Sequence, residues 1–384
     1  MAKRANVLRG RFVQPYSSLV NYFFSLIQAG DADRMRELCH YLTKSQWNRL
    51  RSATLEKVSP LFLAASLGHL EACKLLVAKG ADVSRESVDG GSPWLEACKK
   101  GHNDIVEFFV RKCQHIDVTD SVGDTGLMVA SREGRTNVVR FLLSEGALAD
   151  QDDAFGFSPL FLAASLGHLE VCKLLVAKGA DVNRNRESEN GGSPWLEACA
   201  KGHLDIVEHF VGKGQDIEVT DINNGPTGLA YASTEGKANV VRFLLSKGAR
   251  FDRATNEIAS PLYVAARQGH LEVCRNLVSK GADVNREKNN GWSPWLAACA
   301  KGHLDIVELF VGNGQGIETR NKYGLTGLIA ASRDGKANIV CFLLSKGART
   351  DCVTVKGFTA MDKAVAMGHG EIMLILALHE AARN

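Results

Sequence analysis

No stretch of this sequence approaches the roughly 20 apolar residues that a membrane-spanning helix needs. The apolar segment between Leu19 and Ile27 is short, interrupted and followed by no cleavage site. Paired cysteines are missing too. The chain has 10 cysteines and no C-x-x-C pair, which argues against a zinc or disulfide framework and for a reducing compartment. Charge of one sign is missing: 46 Lys and Arg against 43 Asp and Glu leave +3, too balanced for a nucleic-acid or anionic-membrane binder. Catalytic signatures are missing as well, with no G-x-x-x-x-G-K-[ST], strand-led G-x-G-x-x-G, H-E-x-x-H or G-x-S-x-G. The expectation is therefore a non-enzyme with no cofactor, no metal and no small-molecule substrate.

What is present is a repeat. The composition is 45% hydrophobic and 23% charged, enough to bury a continuous core. A Ser or Thr recurs at Ser59, Ser92, Thr125, Ser158, Ser193, Thr227, Ser260, Ser293, Thr326 and Thr359, at steps of 33 apart from one of 35 and one of 34. Ser59-Pro60-Leu61-Phe62-Leu63-Ala64-Ala65, followed by Gly68-His69-Leu70, shows the unit best. Ser59 reads as an N-cap and Pro60 as a first helical residue, whose missing N–H costs nothing there. Ala64 and Ala65 permit close helix approach, and Gly68 ends the helix. Leu70, Cys73, Leu75, Leu76 and Val77 make the apolar face of a second helix that stops near Gly80, and a turn-rich finger leads on to Ser92.

Before the repeats, residues 1–18 form a basic tail with Arg4, Arg9 and Arg11, and residues 19–57 read as a helical cap containing a helix pair split at Gly30. Residues 58–384 are the repeats, about ten of them, and the chain is expected to end with them. A longer period overlies the first. Ser59, Ser158 and Ser260 open Leu-Phe or Leu-Tyr units; Ser92, Ser193 and Ser293 open Pro-Trp units; Thr125, Thr227 and Thr326 open Thr-Gly-Leu units. A duplicated three-repeat block explains this order, and it raises the expectation of equivalent binding sites for a repetitive ligand.

The period, the T-P-L-H-x-A-like opening and the mid-unit Gly-His resemble the ankyrin superfamily. That resemblance implies an all-α fold, an ankyrin-repeat α-solenoid of helix-turn-helix units with β-hairpin-like fingers. Within it, residues 293–373, opening SPWLAACAKGHLDIVELF, resemble the N-terminal ankyrin array of the Fem family, as does the cap followed by SPLFLAASLGHLE. Fem proteins are substrate receptors of cullin-RING ubiquitin ligases that read C-terminal degrons. The family's later helical repeats and ligase-docking box are not in this sequence. Its carboxylate before the mid-unit Gly-His, used to read a C-terminal arginine, is replaced by Lys100, Lys201 and Lys301. A similar pocket would then prefer a different, acidic ligand end.

His69, His102, His168, His203, His270, His303 and His369 are periodic, but stacked copies lie too far apart to share one metal ion, so they read as structural. Trp94, Trp195 and Trp295 read as core, whereas Trp292 stands where related units have glycine and is a candidate anchor. Positions free of stacking duty supply the remaining partner-binding candidates: Glu96, Lys99, Lys100, Arg132, Glu197, Lys201, Tyr231, Arg267, Lys301 and Arg333. Glu96 with Lys100, and Glu197 with Lys201, also fit simple i,i+4 helix pairs. Apolar finger residues Phe155, Phe157, Ile258, Tyr323, Leu325 and Phe358 read as packing between fingers or as ligand contacts. The function expected is a protein-interaction scaffold that is monomeric, lies in the cytoplasm or nucleus, and binds a protein or peptide on its concave face. The alternative is a substrate-receptor or adaptor subunit of a cullin-RING ligase.

Overall fold

The computed structural model describes residues 16–55, 58–85, 91–112, 115–184, 192–221, 225–252 and 260–382. Among these residues are 23 α-helices and no β-ladder, only the isolated bridges Leu55 with Val58, Thr119 with Thr125 and Thr220 with Thr227. The expected hairpin-like fingers are thus hydrogen-bonded turns, too short to pair as strands. Arg4, Arg9, Arg11 and Ile258 lie outside the described residues.

The chain divides into two compact units, Met1–Asn190 and Gly191–Asn384. The first opens with α1 (Tyr16–Gln28), α2 (Ala32–Tyr41) and α3 (Lys44–Arg51). Its helix pairs are α4 (Pro60–Ser66) with α5 (Leu70–Ala78), α6 (Pro93–Lys100) with α7 (Asn103–Arg111), α8 (Gly126–Arg132) with α9 (Thr136–Ser144), and α10 (Pro159–Leu166) with α11 (Leu169–Ala177). The helix pair split at Gly30 is present as α1 and α2, but α1 already includes Tyr16, so helix extends into the segment read as tail.

The second unit holds α12 (Pro194–Lys201) with α13 (Leu204–Gly212), α14 (Gly228–Thr234) with α15 (Ala238–Ser246), and α16 (Pro261–Gln268) with α17 (Leu271–Ser279). It continues with α18 (Pro294–Lys301) and α19 (Leu304–Gly312), α20 (Gly327–Arg333) and α21 (Ala337–Ser345), and α22 (Ala360–Ala366) and α23 (Gly370–Ala381). Within each unit, first helices pack on first helices of the next pair and second helices on second helices, which is a solenoid's mode of burial.

The same local chemistry starts every pair. Ser293 Oγ, for example, accepts the Leu296 N–H at 3.3 Å, and Thr326 Oγ1 accepts that of Ile329 at 3.3 Å. Such a cap is worth about 1 kcal/mol. The histidines stitch units together: Nε2 of His102, His168, His270, His303 and His369 lies 2.9–3.1 Å from the carbonyl of Ser66, Arg132, Thr234, Arg267 and Arg333, respectively. In the Thr-Gly-Leu units a cation can take this place, as where Arg135 Nε donates to the Lys99 carbonyl at 2.8 Å.

The core explains why Pro-Trp units precede Thr-Gly-Leu units. Trp94, Trp195 and Trp295 are fully buried, and each presses on the next pair's opening glycine. A Cβ on Gly126 would lie 2.9 Å from Trp94 Cζ2, one on Gly327 2.9 Å from Trp295 Cζ2, and one on Gly228 2.8 Å from Cys199 Sγ. Large and small therefore alternate at one interface. In the last helix pair of the second unit Val365, Met367, Leu374 and Leu378 are between 54% and 61% exposed.

Candidate functional site

The candidate residues of the first unit are mostly engaged locally. Glu96 Oε1 accepts from Ser66 Oγ at 2.8 Å and lies 3.9 Å from Lys100 Nζ. Lys99 is exposed. Arg132 forms a two-pronged pair with Asp124, at 2.7 and 2.9 Å. In the second unit Lys201 and Glu197 sit 3.6 Å apart, and the Tyr231 hydroxyl donates to Asp221 Oδ2 at 2.6 Å. Burial, that bond and the Asp221 charge all raise the phenol's pKa, so Tyr231 stays a neutral donor. The helix-pair reading of Glu96 and Glu197 is what the geometry shows.

The remaining four candidates converge. Arg267, Trp292, Lys301 and Arg333, with Tyr263, Asp334 and the buried Ala297 and Ala300, line a hollow of about 180 Å³ between first helices. Trp292 and Arg333 also line a second hollow of about 400 Å³ with Tyr323, Lys356, Phe358 and Lys363. The two share a wall, making one groove along the first helices and fingers from α16 to α22.

Side chains in the groove are held by one another. The Arg333 guanidinium lies 4.8 Å from the Trp292 ring centre and pairs with Asp334 at 2.6 and 3.1 Å. Lys363 Nζ stands 4.0 Å over Phe358, Lys288 Nζ 5.1 Å from Tyr263 and Lys322 Nζ 5.3 Å from Tyr323. Cation–π contacts of this kind contribute about 0.5–1 kcal/mol at exposed sites. The fingers are tied in series: Asn321 Nδ2 donates to the Gly291 carbonyl at 2.7 Å, and Val355 N–H to the Tyr323 carbonyl at 2.9 Å.

The family model for ankyrin repeats, in its three-copy form, matches residues 26–120, 94–186, 195–288 and 289–384. The chain belongs to the ankyrin-repeat family. No curated protein matches it. Among 544 matching solved chains is the human ASB11 ankyrin repeat domain, 25% identical, covering 59% of this chain and 99% of its own, with a TM-score of 0.53.

Those side chains differ between copies of the three-repeat block. Where the first two copies have Gly91 and Gly192, the third has Trp292; where they have Glu96 and Glu197, it has Ala297. Asp124 of the first copy becomes Leu325, so Arg333, which occupies the place of Arg132, loses the finger carboxylate, pairs with its neighbour Asp334 instead and lies over the indole of Trp292. Lys301 likewise loses the i−4 acid held by Lys100 and Lys201, and has no ion pair among the described residues. At these positions the copies of the block are chemically unequal.

Sequence inspection passed over Tyr263, Ala297, Ala300, Lys356 and Lys363. The signal for Ala297 was available in the departure of the third block from the other two. Among the apolar finger residues, Phe157 stacks on Phe161 with ring centres 5.0 Å apart and Leu325 is buried, while Phe155, Tyr323 and Phe358 are exposed.

Proposed function

We propose that this ankyrin array is a non-catalytic scaffold that holds a partner protein or peptide in the groove running from Tyr263 to Lys363. The observation that carries the reading is the ordered row of aromatic side chains with flanking cations over a floor made by Ala297 and Ala300. Trp, Tyr and Arg in partly buried hollows are the residue types that dominate binding energy at protein interfaces. The array acts as a monomer in the cytoplasm or nucleus, where thiols as deeply buried as Cys98, Cys199 and Cys299 remain reduced. No helix among the described residues is long and apolar enough to cross a membrane. Nucleic acid and small-molecule substrates are not part of this reading.

The test is to identify a protein retained by the immobilised full chain and to measure its affinity for Trp292→Ala. A loss of about tenfold, with unchanged thermal unfolding, is the expected result. Unchanged affinity refutes the groove. Reversal of Lys100, Lys201 and Lys301 to Glu, singly and together, should show its largest effect at Lys301, the lysine that lines the groove.

A second reading, a substrate receptor or adaptor in a cullin-RING ligase, is favoured by one observation: much of the groove falls within residues 293–373, the run that resembles Fem proteins. Retention of a cullin by the full chain is its test, and absence of cullin from a complex that contains the groove's partner counts against it.

A further inference from the structure

We propose that the occupant of this groove is an acidic, extended peptide segment of the partner, an inference that rests on the groove being the partner-binding site. Arg267, Lys301, Arg333, Lys356 and Lys363 line the two hollows, against the single carboxylate of Asp334. That carboxylate is paired with Arg333 at 2.6 Å, which leaves Arg267, Lys301, Lys356 and Lys363 with no lining carboxylate of their own. The chain as a whole carries only +3, which makes this a local concentration rather than a general property.

The acids that neutralise equivalent places elsewhere are gone here. Glu96 and Glu197 face Lys100 and Lys201, whereas Ala297 leaves Lys301 without one. One finger of the first unit is organised by Asp153, whose Oδ1 accepts the N–H groups of Phe155 and Phe157 at 2.8 Å. The same task in the groove falls to neutral Asn321, which accepts from Tyr323 and Leu325 at 3.0 and 2.8 Å, and to Thr354, which accepts from Phe358 at 3.1 Å. Turn geometry is retained while its negative charge is removed. A partner carboxylate entering the groove would meet Arg333 and Lys363 held in place against Trp292 and Phe358, with little further side-chain entropy to lose.

Shape then separates a peptide from other polyanions. Hollows of about 400 and 180 Å³ admit a few side chains of an extended segment and not a folded domain. Single-stranded nucleic acid binds by stacking bases on open aromatic faces. Here Arg333 covers a face of Trp292 and Lys363 a face of Phe358. Apolar side chains of the segment would rest on Ala297, Ala300 and the ring edges, between its acids.

Fluorescence anisotropy with the full chain tests this, using a labelled peptide that alternates Glu with Leu and Ser, the same peptide with every Glu replaced by Gln, and oligothymidylate. The Glu peptide should bind about tenfold more tightly than the Gln peptide, weaken with salt, and lose about threefold for each of Lys301→Gln, Arg333→Gln and Lys363→Gln. Melting curves of the three variants should match the parent, since these are groove-facing side chains. Equal binding of the two peptides overturns the acidic preference, and if Trp292→Ala abolishes both, the groove itself stands. Glu-peptide binding that ignores the three variants overturns the site, and tighter binding of oligothymidylate overturns the peptide in favour of nucleic acid. Failure of the Glu peptide while Trp292-dependent capture of the partner persists refutes this inference alone. Loss of Trp292 dependence in that capture refutes the groove reading beneath it.

Discussion

Replacing Gly269 with alanine probes the joint between consecutive repeats in the second unit. Gly269 has φ +88°, and a Cβ there would stand 2.6 Å from Cε1 of His303, whose Nε2 lies 3.1 Å from the Arg267 carbonyl. The left-handed backbone costs an alanine about 1–2 kcal/mol. The imidazole must also shift, giving up a hydrogen bond worth about 1 kcal/mol. Gly269→Ala should therefore destabilise by about 2–3 kcal/mol in all. His303→Ala removes the bond alone and should cost about 1 kcal/mol. In the double variant the methyl group has no ring to meet, so the total should stay at about 2–3 kcal/mol instead of reaching the sum of the two single losses. The assay is urea denaturation followed by far-UV circular dichroism, with the slope m checked for constancy because repeat arrays can lose cooperativity. Strict additivity of the two single effects would show that the glycine is needed for its backbone alone and would refute the contact argument.

Trp295→Ala should cost about 3–5 kcal/mol in the same denaturation, because the fully buried indole fills the space left by Gly327, whereas Trp292→Ala should leave stability within about 1 kcal/mol. Ala297→Glu puts an acid beside Lys301; it should weaken the Glu peptide about tenfold by anisotropy, and unchanged peptide binding would contradict the role of charge. Burial pushes the Cys73 and Cys274 thiols up to about 12, so a maleimide applied to the native chain at neutral pH should reach the exposed Cys341 well before either, as peptide mass mapping would show. Asp362 accepts the Thr359 N–H and hydroxyl, both at 2.8 Å, and these bonds hold its carboxyl below the usual range. Its support for α22 is thus complete above the unfolded value of about 3.9 and lost as pH falls through the lower folded value; the protection of amides in Ala360–Ala366, taken relative to their intrinsic exchange rates at each pH, should fall over that window and stay flat in Asp362→Asn.

The period of the Ser and Thr residues, the proline after many of them and the central glycines made the helix pairs legible from sequence alone, because each marks a helix start or stop through its own local backbone chemistry. The core tryptophans and cysteines were legible for a related reason: a repeat places equivalent residues in equivalent surroundings. The pairing of Trp with the next unit's glycine was visible as a pattern, but the 2.9 Å approach that explains it exists only in the packed stack.

Charges resisted reading for the opposite reason. Arg132 and Arg333 hold the same place in their blocks, yet one is held by Asp124 and the other lies over Trp292, a choice made by residues 8 and 41 positions earlier in the chain. Sequence therefore determined which helices form and which residues face the core. Only the tertiary arrangement decided which surface cations are gathered around one groove, since Arg267, Lys301, Arg333 and Lys363 stand on four consecutive first helices and meet only when those helices pack.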